Sequence, residues 1–394
     1  MRLRDLLLVT LLQSACGGTD VGENLGPPFC DSGTAPAGLT VPTGFCIRKF
    51  AAVPTARVLA FAPNGDVFVT SPSAQTAGGA PAGSSAIYVL TDDGTGAATV
   101  STYKQDYIEL GTVHGLAFLP NRLLYTVEDR VNSLPYASGD RSAVGKTPTK
   151  YADLSDTGIY ERWTHTLAVA ADGTVYVSRG QFDNDSCPPP QPRSGTILRI
   201  GVGQPLIGSV VVGGLRNAMY LRCVSWGCFG AELTGDNWDG IGGKEKLIQL
   251  HDGDEYGYPC CVDKNVPRPD INPKPDCSRV AVSIQTYALH DTPFGFDWDV
   301  QNAWPAPYRG AFFVGMHGSF ETWVGTRLGW ATVDATSHRP TGELKDFVTG
   351  FSKQGPVVGR VADVRFAPDG RLFFTDDQGG AVYWVAPVDL RRKS

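Results

Sequence analysis

The segment Leu59-Ala-Phe-Ala-Pro-Asn64-Gly65-Asp-Val-Phe-Val-Thr70 is the first of three closely similar units in this chain. The others are Leu167-Ala-Val-Ala-Ala-Asp172-Gly173-Thr-Val-Tyr-Val-Ser178 and Val364-Arg-Phe-Ala-Pro-Asp369-Gly370-Arg-Leu-Phe-Phe-Thr375. Each unit joins two apolar runs through an Asn-Gly or Asp-Gly pair. This pattern predicts a β-hairpin, because Asn, Asp and Gly tolerate the positive φ angles of tight hairpin turns.

Weaker copies of this unit complete a series along the chain. One runs from Leu116 to Thr126 with Pro120-Asn121 at its turn, and others begin near Met219 and Phe294. The six starting positions, 59, 116, 167, 219, 294 and 364, are spaced by about 50 to 75 residues. Strand-rich units repeated at this spacing, with no helical periodicity between them, predict an all-β protein with the fold of a six-bladed β-propeller.

The two ends of the repeat region are expected to close the ring. Residues 381–385 and 45–50 both alternate as strands do, and we expect them to pair in the last blade. Such closure removes the open sheet edges through which β-proteins aggregate. The stretch from Cys223 to Ser278 is predicted to form loop insertions on the binding face.

Composition is consistent with one large domain, excludes nucleic acid as a partner and argues against a membrane-spanning helix. The chain has 394 residues, of which 42% are hydrophobic and 19% charged, with 47 Gly and 28 Pro. A net charge of -6 leaves no broad basic surface, so nucleic acid is excluded as a partner. No run of about 20 apolar residues exists, which argues against a spanning helix.

The N-terminal segment predicts export. Residues 1–16 combine basic residues, a short apolar run and Ser14-Ala15-Cys16, which is similar to the lipobox of bacterial lipoproteins. An ordinary cleaved signal is the alternative. Residues 17–40 are predicted to be a flexible tether, and residues 41–390 the propeller. We therefore expect a periplasmic or outer-membrane lipoprotein that contacts the membrane only through a lipid on Cys16.

Eight cysteines remain after Cys16, an even number that predicts disulfides in an exported chain. Local pairing favours Cys30–Cys46 and Cys223–Cys228. Cys260 and Cys261 are expected to use separate partners, Cys187 and Cys277, in an order that the sequence leaves open. A metal–thiolate site is the alternative, but no His lies at zinc-ligand spacing from these cysteines.

Several loop motifs occur in a fixed order on this repeat. They are Arg162-Trp163-Thr164-His165-Thr166, Gly214-Leu-Arg216-Asn217, the stretch from Glu245 to Pro259, Pro307-Tyr-Arg-Gly310, His317-Gly318-Ser319 and Gly359-Arg360-Val-Ala-Asp363. Together they resemble the glucose/sorbosone dehydrogenase family, over residues 44–385. Members of that family are six-bladed propellers that bind pyrroloquinoline quinone (PQQ) and Ca²⁺.

The resemblance implies a set of residues that bind the cofactor. Arg216 and Asn217 match the family's Arg-Asn pair, which contacts PQQ beside its reactive carbonyl. Arg360 matches an arginine that binds a cofactor carboxylate, a role suited to guanidinium groups. The second arginine of some members is replaced by Ala362.

The resemblance also implies a calcium site in the loop of residues 236–240. There the family supplies ligands largely from backbone carbonyls, which would be those of Asp239 and Gly240. Glu245 stands where the family has an acidic residue that supports this loop. A solvated acidic turn is the alternative interpretation.

The catalytic base departs from the family pattern. Related proteins usually have His-Trp-Thr-Arg-Thr, whereas this chain has Arg162 and His165 exchanged. Arginine stays protonated and cannot act as a base, so His165 is the first candidate. His114 and His317, each followed by Gly, are predicted to line the cofactor site and are the next candidates. If no imidazole reaches the substrate, the reaction has been lost.

These observations predict an exported PQQ- and Ca²⁺-dependent dehydrogenase that oxidises the hydroxyl of a sugar or related alcohol. Its electrons are expected to pass to a separate external acceptor, since the sequence has no Cys-x-x-Cys-His haem motif. A non-catalytic, lipid-anchored binding propeller is one alternative, and a calcium-dependent lactonase-type propeller is another.

Overall fold

The computed structural model describes residues 25–30, 35–73, 84–155, 163–181, 186–189, 193–201, 208–235 and 243–393. The predicted lipobox Cys16 lies outside these residues. No α-helix occurs in the described part of the chain, so the predicted all-β class is confirmed. A helix able to span a lipid bilayer is accordingly not found there.

The strands form six antiparallel sheets around a common axis, as predicted for a six-bladed propeller. In each blade the innermost strand comes first. Blade 1 consists of Leu59–Phe61, Val67–Ser71, Ala86–Asp92 and Ala98–Gln105. Blade 2 consists of Leu116–Leu119, Arg122–Val127, Arg130–Pro135 and Thr149–Asp153. Blade 3 consists of Leu167–Val169, Val175–Arg179, Thr196–Ile200 and Ser209–Gly213, with Asp254–Glu255 added in parallel at its outer edge.

The remaining blades follow in chain order. Blade 4 consists of Asn217–Val224, Gly227–Leu233, Glu245–Gln249 and Gln285–Tyr287. Blade 5 consists of Pro293–Trp298, Phe312–Met316, Arg327–Val333 and Pro340–Val348. Blade 6 consists of Val361–Phe366, Leu372–Asp376, Ala381–Pro387 and, outermost, Phe45–Ala52 from the start of the chain.

Three small two-stranded sheets lie outside the blades. They pair Leu25–Pro28 with Arg391–Lys393, Cys261–Asp263 with Val266–Pro267, and Phe351–Ser352 with Val357–Val358.

The turns of the repeat have the predicted geometry. Gly65, Gly173 and Gly370 adopt φ angles of +89°, +85° and +89°, and Asn121 adopts +59° in the weaker copy. These angles are accessible to Gly and Asn at little cost. The local turn residues therefore set the hairpins that begin four of the blades.

Strand pairing between the two ends of the chain closes the ring. Phe45 pairs with Pro387 and Ala52 with Ala381, in antiparallel register. Apolar side chains fill the space between neighbouring blades; between blades 6 and 1, for example, the ring centroids of Phe373 and Phe61 lie 5.5 Å apart. The hydrophobic core is thus divided among the blade interfaces, which leaves the axis for polar groups.

The predicted insertion is only partly a loop. Residues 223–249 belong to the strands of blade 4 where they are described, and the long insertion is residues 250–284. This insertion runs along blade 3 and is cross-linked by Cys187–Cys260 and Cys261–Cys277. Together with Cys30–Cys46 and Cys223–Cys228, these bonds confirm the predicted disulfides and settle the partners of the adjacent pair.

Candidate functional site

One end of the propeller axis gathers most of the predicted site residues. His114 and His165 lie two residues before the inner strands of blades 2 and 3, and Arg216 and Asn217 lie where that of blade 4 begins. The loop after the second strand of blade 5 carries His317 to the same end. We call this end the central face.

A hydroxyl of the repeat helps to position these residues. Thr70, near the end of the second strand of blade 1, donates a hydrogen bond to the carbonyl of His114 in blade 2 (2.9 Å). Thr126 of blade 2 donates in the same way to the carbonyl of His165 in blade 3 (2.6 Å). Each hydroxyl thus joins one blade to the next beneath the central face.

The same arrangement identifies a residue that the sequence analysis missed. Thr375 of blade 6 donates to the carbonyl of Arg57 (2.7 Å). Arg57 precedes Leu59 by two residues, as His114 precedes Leu116 and His165 precedes Leu167. The repeat register was the available signal for placing Arg57 beside the two histidines.

A buried ionic group lies at the centre of this face. Nε2 of His317 lies 3.1 Å from both carboxylate oxygens of Asp377, and Nε of Arg57 lies 3.2 Å from the same carboxylate. The imidazole of His317 stacks on Phe294, with ring centroids 4.0 Å apart. All three polar side chains are at most 3% exposed. Asp377 is a second residue that the sequence analysis missed.

The electrostatics of this group fix its protonation at neutral pH. Burial tends to raise the pKa of Asp377, but the hydrogen-bonded His317 and the cationic Arg57 outweigh that effect and hold it well below its usual range. Burial, assisted by Arg360, lowers the pKa of His317 to about 3. Asp377 is therefore an ionised acceptor and His317 is neutral, so Nε2 carries the proton and Nδ1 the lone pair.

Arg360 lies beside this group and contacts the loop that carries His317. Its Nε donates to the carbonyl of His317 (2.8 Å), and its Nη2 donates to those of Gly318 (2.7 Å) and Ser319 (3.3 Å). Its guanidinium also lies over the ring of Trp323. Burial lowers the pKa of Arg360 to about 10, so the group stays cationic at neutral pH.

The Arg-Asn pair is held by a buried carboxylate. One oxygen of Glu232 accepts hydrogen bonds from the backbone N–H groups of Arg216 (2.5 Å) and Asn217 (3.4 Å). The Asn217 amide donates to Thr164 (3.1 Å) in the neighbouring blade. Burial raises the pKa of Glu232. This carboxylate fixes the backbone from which both side chains project.

Two family-like motifs also contact each other next to this pair. The N–H of Tyr258 donates to the carbonyl of Gly214 (2.9 Å). A Cβ on Gly214, which has φ +65°, would lie 2.5 Å from the nitrogen of Gly257. Only glycine fits such an approach, so the insertion brings its Tyr-Gly-Tyr-Pro segment against the Gly-Leu-Arg-Asn segment.

The side chain of His114 is fully buried and forms no hydrogen bond within the described structure. Neither of its ring nitrogens has a partner there, and its ring contacts those of Trp163 and Tyr220. Nη1 of Arg57 is likewise buried without a hydrogen-bond partner in that part of the chain. Burial holds the pKa of His114 well below its usual value.

The ring of His165, the first candidate for the base, forms a hydrogen bond with the backbone of blade 2. Its Nε2 lies 2.9 Å from the carbonyl oxygen of Glu128, and its Nδ1 is buried without a partner in the described structure. Burial lowers the pKa of His165 to about 4, so the ring is neutral at neutral pH. Because a carbonyl only accepts, Nε2 donates, and only Nδ1 retains a lone pair.

Three predicted site residues lie outside the described residues: Arg162, Asp239 and Gly240. Their roles stay predictions. Within the described ranges, no group of three or more His, Cys, Asp or Glu side chains is arranged to hold a metal ion. Glu245, expected to support the calcium loop, is buried and accepts a hydrogen bond from the N–H of Thr234 (3.3 Å).

The central face has donors suited to an anionic, oxygen-rich cofactor. Arg57 and His114 carry buried ring or guanidinium nitrogens without hydrogen-bond partners among the described residues. Buried polar groups normally find a partner, and exceptions concentrate where a ligand is missing. The residue types present therefore fit a planar quinone with several carboxylates.

These features define a class: a six-bladed propeller with a cationic, imidazole-rich centre on one face. Solved structures share the fold of this chain across nearly its whole length. The Trichoderma reesei enzyme of carbohydrate-active family AA12 superimposes with a TM-score of 0.72 at 16% identity, over 89% of this chain and 97% of that one. A calcium structure of that enzyme gives 0.70.

Two further structures are named for PQQ. The pyranose dehydrogenase PQQ domain of Coprinopsis cinerea matches with a TM-score of 0.70 at 16% identity, over 90% of this chain and 99% of that one. A PQQ-bound aldose sugar dehydrogenase of Streptomyces coelicolor gives 0.57 at 17% identity, over 88% and 99%. The predicted resemblance is thus confirmed for the fold, which is that of a sugar-dehydrogenase-like propeller.

Sequence comparison adds little to the evidence from the solved structures. No family model matches the chain. An uncharacterized protein of Borreliella burgdorferi is 29% identical over 136 residues, which are 34% of this chain and 36% of that protein. The match therefore spans about a third of this curated relative.

Proposed function

We propose that the protein is an exported, PQQ- and Ca²⁺-dependent dehydrogenase that oxidises a hydroxyl of a sugar or related alcohol. The observation that carries the proposal is the Asp377–His317 pair at the centre of the face. A neutral imidazole held by an ionised carboxylate suits proton removal, and the neighbouring Arg57 and Arg360 suit the binding of an anionic cofactor.

In this proposal His317 is the base. Its Nδ1 has no protein partner among the described residues and accepts the proton of the substrate hydroxyl, while Asp377 orients the ring and stabilises the charge that forms on it. If PQQ is bound there, it would supply the acceptor for the hydride that leaves the carbon bearing the hydroxyl. Arg216, Asn217 and Arg57 hold and orient the cofactor.

His165 is the alternative base. Its lone pair at Nδ1 is buried without a partner in the described structure, so contact with substrate requires a movement of the ring or of the neighbouring loop. His317 is buried to a similar degree, but it alone of the two is paired with an ionised carboxylate, that of Asp377. We therefore place His317 first and keep His165 as the competing assignment.

Calcium is proposed at the loop that contains Asp239 and Gly240. Glu232 and Glu245 lie at the ends of the two strands that this loop joins, which gives the region an acidic support. Oxygen ligands from backbone and carboxylate groups are those that Ca²⁺ takes in proteins.

Export is supported by the four disulfides. Bonds such as Cys187–Cys260 and Cys261–Cys277 persist in oxidising compartments and are rare in the cytosol. We propose a periplasmic or outer-membrane location, with the lipid anchor on Cys16 and a separate electron acceptor.

A non-catalytic binding propeller is the second candidate. Two observations favour it: Arg360 is engaged by three backbone carbonyls of the His317 loop, and Ala362 replaces the second arginine of the family. In such a protein the central face would bind the quinone or a sugar without turnover.

Reconstitution separates these functions. Purified protein is incubated with PQQ and Ca²⁺, and dye reduction is followed with a panel of aldoses and polyols. If the protein is a dehydrogenase, we expect turnover that requires both PQQ and Ca²⁺ and that is lost in the His317→Ala variant. Saturable PQQ binding without turnover on any substrate would support the binding module instead, and the absence of PQQ binding would contradict the dehydrogenase.

A further inference from the structure

A second cavity lies on the propeller axis at the end opposite the central face. It has a volume of about 180 Å³ and is formed where the inner strands of five blades approach their C-terminal ends. Representative lining residues are Phe61, Phe118, Val169, Leu221, Arg222 and Arg365. None of the described residues that line it is acidic. The wall is therefore apolar except for two guanidinium groups.

Arg222 is fixed by its backbone contacts. Its Nε donates to the carbonyl of Phe296 (3.1 Å) in blade 5, and its Nη2 donates to that of Val364 (2.9 Å) in blade 6. Nη1 has no protein partner in the described part of the chain. The side chain as a whole is only 10% exposed.

Arg365 approaches the same place from blade 6. Its Nε lies 3.3 Å from the carboxylate of Asp363, and Nη2 of Arg222 lies 3.9 Å from that carboxylate. Asp363 also accepts hydrogen bonds from the backbone N–H groups of Leu59 and Val364 (2.8 Å each). The carboxylate of Asp363 thus lies near both cations and already accepts two backbone hydrogen bonds.

The two cations affect each other. Burial, together with the neighbouring Arg222, lowers the pKa of Arg365 to about 10. A second carboxylate, Asp297, lies 3.5 Å from Arg222 but is itself bonded by the N–H groups of Trp298 and Phe366. Both arginines line the cavity, whereas neither carboxylate does, and each carboxylate already accepts two backbone hydrogen bonds.

We propose that this axial cavity binds one small oxyanion, of the carboxylate or phosphate type, between Arg222 and Arg365. Guanidinium forks match the planar and tetrahedral oxygen pairs of such anions. The volume is below the 300–1,000 Å³ typical of sites for drug-sized ligands, which excludes a sugar–quinone pair. The site is thus separate from the central face in both position and size.

Such an anion would tie the ring together at its axis. The network reaches blade 1 through Leu59, blade 4 through Arg222, blade 5 through Phe296 and blade 6 through Val364. Binding to the folded state alone raises stability by mass action. The expected consequence is a propeller that is more resistant to heat in the presence of the anion.

The test uses isothermal titration calorimetry of the full protein with inorganic phosphate, and separately with acetate, at constant ionic strength. One saturable site per molecule is expected for at least one probe. Arg365→Gln should weaken it roughly tenfold to a hundredfold, because a charge-assisted contact is lost. Arg199→Gln, which removes a surface arginine paired with Asp252, should leave the affinity unchanged.

Two further measurements keep the result interpretable. Arg365→Lys retains the charge but loses the fork, so it should bind more weakly than wild type and more tightly than Arg365→Gln. The melting temperature of wild type should rise with phosphate or acetate, and that of Arg365→Gln should rise less. Absence of saturable heat with either probe, or equal affinity in wild type and Arg365→Gln, would overturn the proposal. Neither outcome bears on the proposal that PQQ binds at the central face.

Discussion

The carboxylate of Asp377 lies 3.1 Å from Nε2 of His317, although the two residues come from different blades. Asp377 directly follows the second strand of blade 6, and His317 that of blade 5. The contact therefore depends on the angle between neighbouring blades. It gives the central face an oriented, neutral imidazole.

The first prediction concerns Asp377. In Asp377→Asn, the ring of His317 loses its charged partner, and the rate of dye reduction should fall by about 10²–10⁴-fold, the usual range for impaired general-base catalysis. Arg57 also loses its buried ion-pair partner, which should cost about 3–5 kcal/mol of stability. Rates are measured well below the melting temperature, with exposed Asp389→Asn as the control. An active Asp377→Asn enzyme would remove His317 from the base role.

The second prediction compares the two candidate bases. His317→Ala should lose about 10²–10⁴-fold in rate, whereas His165→Ala should retain most of the activity of a folded enzyme. Cofactor affinity, measured by PQQ titration, separates loss of the base from loss of binding. The reverse ranking of the two variants would assign the base to His165.

The third prediction concerns cofactor binding. Arg216→Ala should weaken PQQ affinity roughly tenfold to a hundredfold, because a charge-assisted contact contributes about 1.5–3 kcal/mol. Arg360→Ala should act in the same direction, partly through the His317 loop. Equilibrium titration of apoprotein measures both. Two variants with wild-type affinity would show that the quinone does not bind at the central face.

The fourth prediction concerns pH. His165 has a folded-state pKa of about 4 and an unfolded value of about 6.5, so between these values only the unfolded chain binds the proton. This group therefore reduces stability as pH falls from about 6.5 to 4. His165→Asn should flatten the dependence of unfolding free energy on pH by up to about 1.4 kcal/mol per pH unit. Urea unfolding at several pH values measures the slope, with exposed His251→Asn expected to keep the wild-type slope.

The fifth prediction concerns the disulfides. Cys187–Cys260 closes a loop with a sequence separation of 73, whereas Cys223–Cys228 closes one of 5. Since the loop-closure entropy removed from the unfolded chain grows with loop length, replacing the first pair by Ser should cost about 4 kcal/mol, and replacing the second pair clearly less. Chemical unfolding of the two double variants measures the difference. Equal losses would show that native-state contacts, not loop length, determine the effect.

Local sequence signals placed the blades well. The predicted starts at Leu59, Leu116 and Leu167 are the first residues of their strands. The starts predicted near 219, 294 and 364 fall inside strands that begin at Asn217 and in the first strands of blades 5 and 6. Each blade start lies only a few residues from a turn residue that tolerates positive φ. A single sequence is therefore sufficient to predict where the blades begin.

The candidate site was less predictable, for a physical reason. His317 and Arg360 were predicted from motifs, but their contact through the backbone carbonyls of the His317 loop depends on how blades 5 and 6 pack. Asp377 has no local signal beyond its position after a strand. Arg57 was detectable only from the repeat register that it shares with His114. Tertiary packing, not sequence proximity, assembles the central group.

The pairing of Phe45–Ala52 with Ala381–Pro387 also sets the order in which the protein can be completed. The strand Phe45–Ala52 has no partner in blade 6 until nearly the whole chain has been synthesised, so its edge stays open during synthesis. Closing that contact requires a large loop-closure entropy, which slows folding. Open edges are also where growing β-proteins pair with the wrong chain. The pairing that closes the finished ring is therefore also a point at which an unfinished molecule is exposed to misassembly.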